Sequence, residues 1–107
     1  MESKDVIGAL GALAQESRLA AFRALVAAGT NGLQPGTLVA RLGIPANTLS
    51  FHLGTLQRAG LVSQERQGRA LIYRAEFQRM RTLIDFLTED CCGGQPCAAT
   101  PCTPETP

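Results

Sequence analysis

Apolar side chains recur along this chain at spacings of three and four, give way once to two short extended runs, and then return to helical spacing. Ile7, Leu10, Leu13 and Ala14 predict an amphipathic helix over residues 3–14. Gly8 and Gly11 weaken that helix or admit a close partner. Glu16-Ser17 is a start signal, Leu19, Phe22, Leu25 and Val26 form a second stripe, and Gly29 is its stop. Residues 30–34 read as a loop. Pro35 suits the first position of a third helix, in which Leu38, Val39 and Leu42 face inward before Gly43 ends it. After Ile44-Pro45, a fourth helix over 46–59 gathers Leu49, Leu53 and Leu56 on one face and terminates at Gly60.

The period then changes. Residues 61–66 and 70–74 are extended runs flanking Gln67-Gly68-Arg69, the pattern of a β-hairpin. A last helix is expected from Glu76, with Phe77, Met80, Leu83, Ile84 and Leu87 on one stripe. Past Asp90 the composition shifts. Residues 91–107 hold four cysteines, two glycines and four prolines, and almost no large apolar side chain. Such a segment orders itself only around a ligand. The expected fold class is mainly α with a small β-hairpin, a winged helix-turn-helix working as a dimer. Residues 1–90 would form the DNA-binding and dimerisation domain, and residues 91–107 a flexible, cysteine-rich tail that binds an inducer.

Composition narrows the functional classes. A chain of 107 residues with 45% hydrophobic side chains is one domain with one core, small enough to gain stability from a second copy. The net charge of +1 is uninformative, but its distribution is not. Residues 1–40 balance, whereas residues 41–74 set Arg41, Arg58, Arg66, Arg69 and Arg74 against Glu65 alone. Residues 75–107 are acidic, with Glu76, Asp85, Glu89, Asp90 and Glu105 against Arg79 and Arg81. A basic middle fits a polyanion-binding face. No run approaches the roughly 18 apolar residues of a membrane span, so no membrane partner is expected. The start, Met1-Glu2-Ser3-Lys4-Asp5, does not resemble a secretory signal. A cytoplasmic location is therefore expected, where cysteines serve as ligands or reactive thiols rather than disulfides.

The third and fourth helices have the spacing of a helix-turn-helix, whose second helix enters a major groove of double-stranded DNA. At about 100° per residue, Asn47, Phe51, Thr55 and Arg58 fall broadly opposite the buried leucines, with Thr48 and Ser50 on the flanks. Short polar groups there can bond base edges, and Phe51 can contact a thymine methyl. His52 lies about 60° off the buried centre, which suits packing or a phosphate contact better than catalysis. Arg66 and Arg69 sit at the hairpin tip, suited to phosphate or minor-groove contact.

The runs Leu49-Ser50-Phe51-His52-Leu53, Leu56-Gln57-Arg58-Ala59-Gly60-Leu61-Val62, Arg66-Gln67-Gly68-Arg69 and Tyr73-Arg74 resemble the signature of the ArsR/SmtB winged-helix repressors. Glu16-Ser17-Arg18-Leu19 is similar to the start of that family's second helix. The resemblance covers residues 5–90. It implies a homodimer that represses transcription from an operator, with the first and last helices forming the dimer interface. Pro45 departs from the pattern, standing where the family commonly places a serine or similar capping residue.

All four cysteines, Cys91, Cys92, Cys97 and Cys102, lie within residues 91–102. Thiolates are soft donors that select soft ions. Trivalent arsenic or antimony takes three thiolates in a pyramid, and the vicinal pair, the Gly93-Gly94 turn and Cys97 can supply them. Four thiolates can also hold zinc, cadmium or lead, although adjacent cysteines fit a tetrahedral zinc knot poorly. Thiol redox sensing is a third option. Residues 35–56 contain no cysteine, and His52 is the sole histidine. The chain therefore resembles the arsenite-responsive members that bind through a vicinal Cys-Cys and a downstream cysteine, which implies Cys91, Cys92 and Cys97 as ligands and Cys102 as a substitute.

The expected function is a metalloid-responsive repressor without an organic cofactor. A repressor responding to cadmium, lead or zinc and a cysteine-rich metal-buffering protein are the alternatives. An enzyme is not expected, because no Cys–His pair, carboxylate pair or phosphate-cradling glycine loop stands out.

Overall fold

Helix α1 (Ser3–Leu13) turns Val6, Ala9 and Ala12 into the core of the computed structural model, which describes residues 1–94. Ile7 and Leu10, the large residues of the expected amphipathic stripe, are 69% and 41% exposed. The helix is apolar on two sides. Its small side packs inside the chain because alanines let helix axes approach closely, which leaves the large side chains outward.

Helix α2 (Glu16–Ala28) begins at the Glu16-Ser17 signal. Gln15 is its N-cap, and its side-chain oxygen accepts the Arg18 N–H at 2.8 Å. Ala21, Phe22 and Leu25 are buried. The expected loop that follows is more ordered than its composition suggests. Gly29–Asn31 form a single 3₁₀ turn, and Leu33 pairs with Tyr73 in an antiparallel bridge.

Helices α3 (Pro35–Leu42) and α4 (Ala46–Arg58) match the expected helix-turn-helix. Leu38, Leu49, Leu53 and Leu56 fill the centre of the core with Leu25 and Leu61. Pro45 is the N-cap of α4 and has no side chain to cap with, so the Asn47 Oδ1 accepts the Thr48 N–H at 2.9 Å instead. At the other end, the Gly60 N–H bonds the Gln57 carbonyl and the Leu61 N–H bonds the Leu56 carbonyl, which is a Schellman ending. Gly60 suits that place because its φ is +79°, which a side chain would strain; an added Cβ would also press on the Arg79 guanidinium, which can shift.

Strands β1 (Val62–Gln67) and β2 (Ala70–Ala75) pair antiparallel, from Val62 opposite Ala75 to Gln67 opposite Ala70. The turn is therefore two residues, Gly68-Arg69, rather than the three expected, and Gln67 belongs to the ladder. Glycine with positive φ at the first turn position matches the type II′ geometry that suits a right-twisted hairpin.

Helix α5 (Phe77–Leu87) divides its stripe in the way α1 does. Leu83 is buried, with Phe77 and Met80 packed on the core, whereas Ile84 and Leu87 are 48% and 56% exposed. The cysteine pair does not extend this helix. Instead the helix stops at Leu87, the chain turns through Asp90 at φ +60°, and a separate 3₁₀ turn spans Cys91–Gly94. No described helix is long and apolar enough to cross a membrane.

Candidate nucleic-acid interface

The outer side of α4 follows from its inner one. Leu49, Leu53 and Leu56 bind the helix to the core, so Asn47, Thr48, Ser50, Phe51 and Arg58 are left exposed. Phe51 is 64% exposed, an unusual position for a large ring on a helix with a complete core face. Thr55 is half-buried and already engaged: its hydroxyl donates to the Phe51 carbonyl at 3.2 Å and accepts from the Arg58 Nη2 at 3.3 Å. The Arg58 side chain thus lies back along the helix.

His52 does not share this exposed side. It is 9% exposed and is the sole buried polar residue among those described. Its ring meets that of Phe51 edge-on at 5.8 Å between centroids, and the Arg18 Nη1 lies 3.3 Å from its Nδ1. A guanidinium can only donate, so Nδ1 accepts and the ring proton sits on Nε2. His52, for which packing or a phosphate contact was expected, is packed on the core side of α4.

The hairpin exposes Arg66 near the end of β1 and Arg69 in the turn. Its base is strapped by Arg74, whose Nη1 pairs with the Glu65 carboxylate at 2.6 Å and whose Nε donates to the Thr30 carbonyl at 2.7 Å. The Arg74 hydrogen bond, with a second from Gln67, holds the Glu65 carboxyl below the ordinary carboxylate range. Glu65 is therefore committed to Arg74, and among the described residues no acidic side chain forms an ion pair with the tip arginines. The wing is also tied to the body by a single antiparallel bridge, in which Leu33 and Tyr73 exchange both backbone hydrogen bonds, at 2.9 and 2.8 Å.

Among the predicted ligands, Cys91 is exposed on the 3₁₀ turn, and Cys92 follows it in the same turn. Cys97 and Cys102 lie outside the described residues. Among the described residues no three His, Cys, Asp or Glu side chains gather around a common point. The expected trio needs Cys97.

Two side chains that the sequence reading quoted only within motifs, Arg18 and Arg74, make the long-range side-chain hydrogen bonds. Arg18 precedes Phe22 and Leu25 at spacings of four and seven, which places it on the inward face of α2. That spacing was a usable signal. Arg74 was visible only as part of the basic middle and of the Tyr73-Arg74 run, and its contact with distant Thr30 was not.

A helix-turn-helix domain family matches residues 13–65. An ArsR-like transcriptional regulator from Rhodococcus sp. RHA1 superposes with a TM-score of 0.70 at 26% identity, over 78% of this chain and 76% of that one. HlyU from Vibrio cholerae N16961 is 30% identical over 86% of this chain and 99% of its own, with a TM-score of 0.67. The homodimeric winged helix-turn-helix DNA-binding domain Mb0332 from Mycobacterium bovis is 26% identical over 81% of both chains, with a TM-score of 0.64. No curated relative matches the chain's sequence. A helix-turn-helix with an arginine-tipped wing, matched along nearly its whole described length by transcriptional regulators, is a DNA-binding regulator and not an enzyme. The chain belongs to the ArsR-like family of winged helix-turn-helix transcriptional regulators.

Proposed function

We propose that this chain is a repressor that holds operator DNA as a two-fold dimer and releases it when its C-terminal thiolates capture trivalent arsenic or antimony. The observation that carries this reading is the join between α5 and the cysteines. Exposed Cys91 and the adjoining Cys92 sit on a turn that follows α5 after Thr88–Asp90, and Ile84 and Leu87 keep the last turns of α5 apolar and outward. Ile7 and Leu10 on α1 are exposed in the same way. These faces suit a second copy of the chain, which would place the thiols beside a subunit interface.

Asn47, Thr48, Ser50 and Phe51 would contact base edges, while Arg66, Arg69 and Arg58 would contact phosphates. The donor set for the ion would be sulfur alone, from Cys91, Cys92 and Cys97 with Cys102 as substitute, which suits a soft ion. Ion binding would order the tail, with metal–thiolate bonds supplying the energy for that ordering.

The test follows operator-bound fluorescence anisotropy of reduced protein with and without arsenite, antimonite or cadmium. Cys91→Ser, Cys92→Ser and Cys97→Ser should each bind DNA but lose the metalloid response, whereas Cys102→Ser should respond nearly as the parent does. Coupling of the usual size makes the parental response a roughly 5–150-fold weakening. Normal release from Cys92→Ser would sink the three-thiolate assignment. Release by cadmium alone would transfer the site to a divalent ion.

A further inference from the structure

Arg18 touches three helices. Its own N–H caps onto Gln15 at the start of α2, its Nε donates to the Ala12 carbonyl near the end of α1 at 2.7 Å, and its Nη1 donates to the His52 Nδ1 of α4 at 3.3 Å. Ala12 and His52 are both buried. The Ala12 carbonyl is among the last of α1, so it has no partner within its own helix. His52 lies on the core side of α4, one residue from exposed Phe51.

We propose that Arg18 is a positioning residue for DNA reading: it ties the end of α1 to the middle of α4 and sets the angle between them. This rests on the reading that α4 carries the base contacts. A guanidinium is a planar, rigid fork, so its donors fix two acceptors relative to each other as well as to itself. A lysine at this place carries the same charge on a single atom and cannot hold both. The Arg18 fork joins a helix whose exposed side offers Ile7 and Leu10 to a second copy to the helix that would enter the groove. Rotation of one is thereby passed to the other.

The consequence separates two kinds of binding. Contacts to base edges need α4 at a set angle, whereas arginines on the wing follow phosphates with long, adaptable side chains. Loosening the tie should therefore cost specificity before it costs general affinity for DNA.

The experiment uses the full-length reduced dimer. One probe is a duplex enriched from random sequence by the parent, and the other is poly(dI-dC). Arg18→Gln and Arg18→Lys should remain dimeric by sedimentation. Both should bind the enriched duplex about tenfold or more weakly, a loss of the size of one base contact. Their affinity for poly(dI-dC) should change by less than about twofold, because wing–phosphate contacts are untouched. His52→Leu should behave like Arg18→Gln. His52→Asn, whose Oδ1 can replace Nδ1 as acceptor, should restore most of the lost discrimination. Full rescue by Arg18→Lys would reduce the role to charge and overturn the proposal. So would equal losses on both probes, or His52→Asn falling as far as His52→Leu. If the Arg18 variants fail to fold, the His52 pair decides alone. Nitrogen chemical shifts of the imidazole in the DNA-free parent test the contact itself, and a proton on Nδ1 would rule it out. A parent that enriches no duplex would instead refute the base-reading role of α4.

Discussion

Leu33 and Tyr73 exchange both of their backbone hydrogen bonds, a single antiparallel bridge that anchors the hairpin to the body of the domain. Gly32, just before Leu33, makes this approach possible. Its φ is +69°, and a Cβ there would lie 2.5 Å from the Tyr73 carbonyl oxygen and 2.7 Å from the Ile72 Cγ2. Gly32→Ala should therefore destabilise the domain by about 2 kcal/mol, combining a left-handed backbone penalty with a backbone clash. In a urea titration at fixed protein concentration the midpoint should fall, and an unchanged midpoint would mean that Leu33 and Tyr73 are not paired in solution.

The Glu65–Arg74 pair gives the hairpin a dependence on acid. The folded-state carboxyl titrates below its ordinary value, so its contribution is present above the unfolded value and is lost as pH falls through the folded one. Both partners are partly solvated, so the stability change should be small. Carboxyl-carbon NMR of Glu65 should show an upward move in its titration midpoint for Arg74→Gln. An unmoved midpoint would show that the pair does not persist in solution.

Arg66→Ala and Arg69→Ala should weaken binding to every duplex alike. If each contacts one phosphate, each substitution should shallow the slope of log affinity against log salt by about 0.9, the counterion release for one contact. A loss confined to one base position would instead make that arginine a reader of sequence.

The outward residues Ile7, Leu10, Ile84 and Leu87 should be buried by the second copy of the chain. Leu10→Glu or Leu87→Glu would place a charge in that contact, where desolvation is costly. Each should weaken dimerisation by at least about tenfold, equal to 1.4 kcal/mol. Sedimentation equilibrium at micromolar concentration reads this directly. Retained dimers would put the interface elsewhere.

Much of this fold was legible because large apolar residues repeat at unambiguous periods. The stripe Leu49, Leu53, Leu56 oriented α4, and Gly60 marked its end. Where two readings were both apolar, periodicity could not choose. In α1 the row Val6, Ala9, Ala12 competes with Ile7 and Leu10, and side-chain size misleads because the smaller row packs inside. A single bridge such as Leu33–Tyr73 is too short to show a period. The stop at Leu87 was hidden because an aspartate, rather than a glycine, takes the left-handed position at residue 90. Within the candidate interface the exposed side of α4 was readable from helical geometry. The tie between Arg18 and His52 joins residues far apart in the chain, and only the packing of α2 against α4 brings them together.

That left-handed aspartate has a mechanical consequence. A continuous helix from Leu83 to Cys92 would act as a shaft, so that twisting the thiols would twist α5. The bend at Asp90 interrupts the shaft and replaces it with a turn braced by hydrogen bonds from the Glu89 N–H to the Phe86 carbonyl and from the Cys91 N–H to the Thr88 carbonyl. A signal that starts at the thiols would have to cross that turn to reach α5. Shortening Thr88–Asp90 should therefore alter its gain more than stiffening α5 itself.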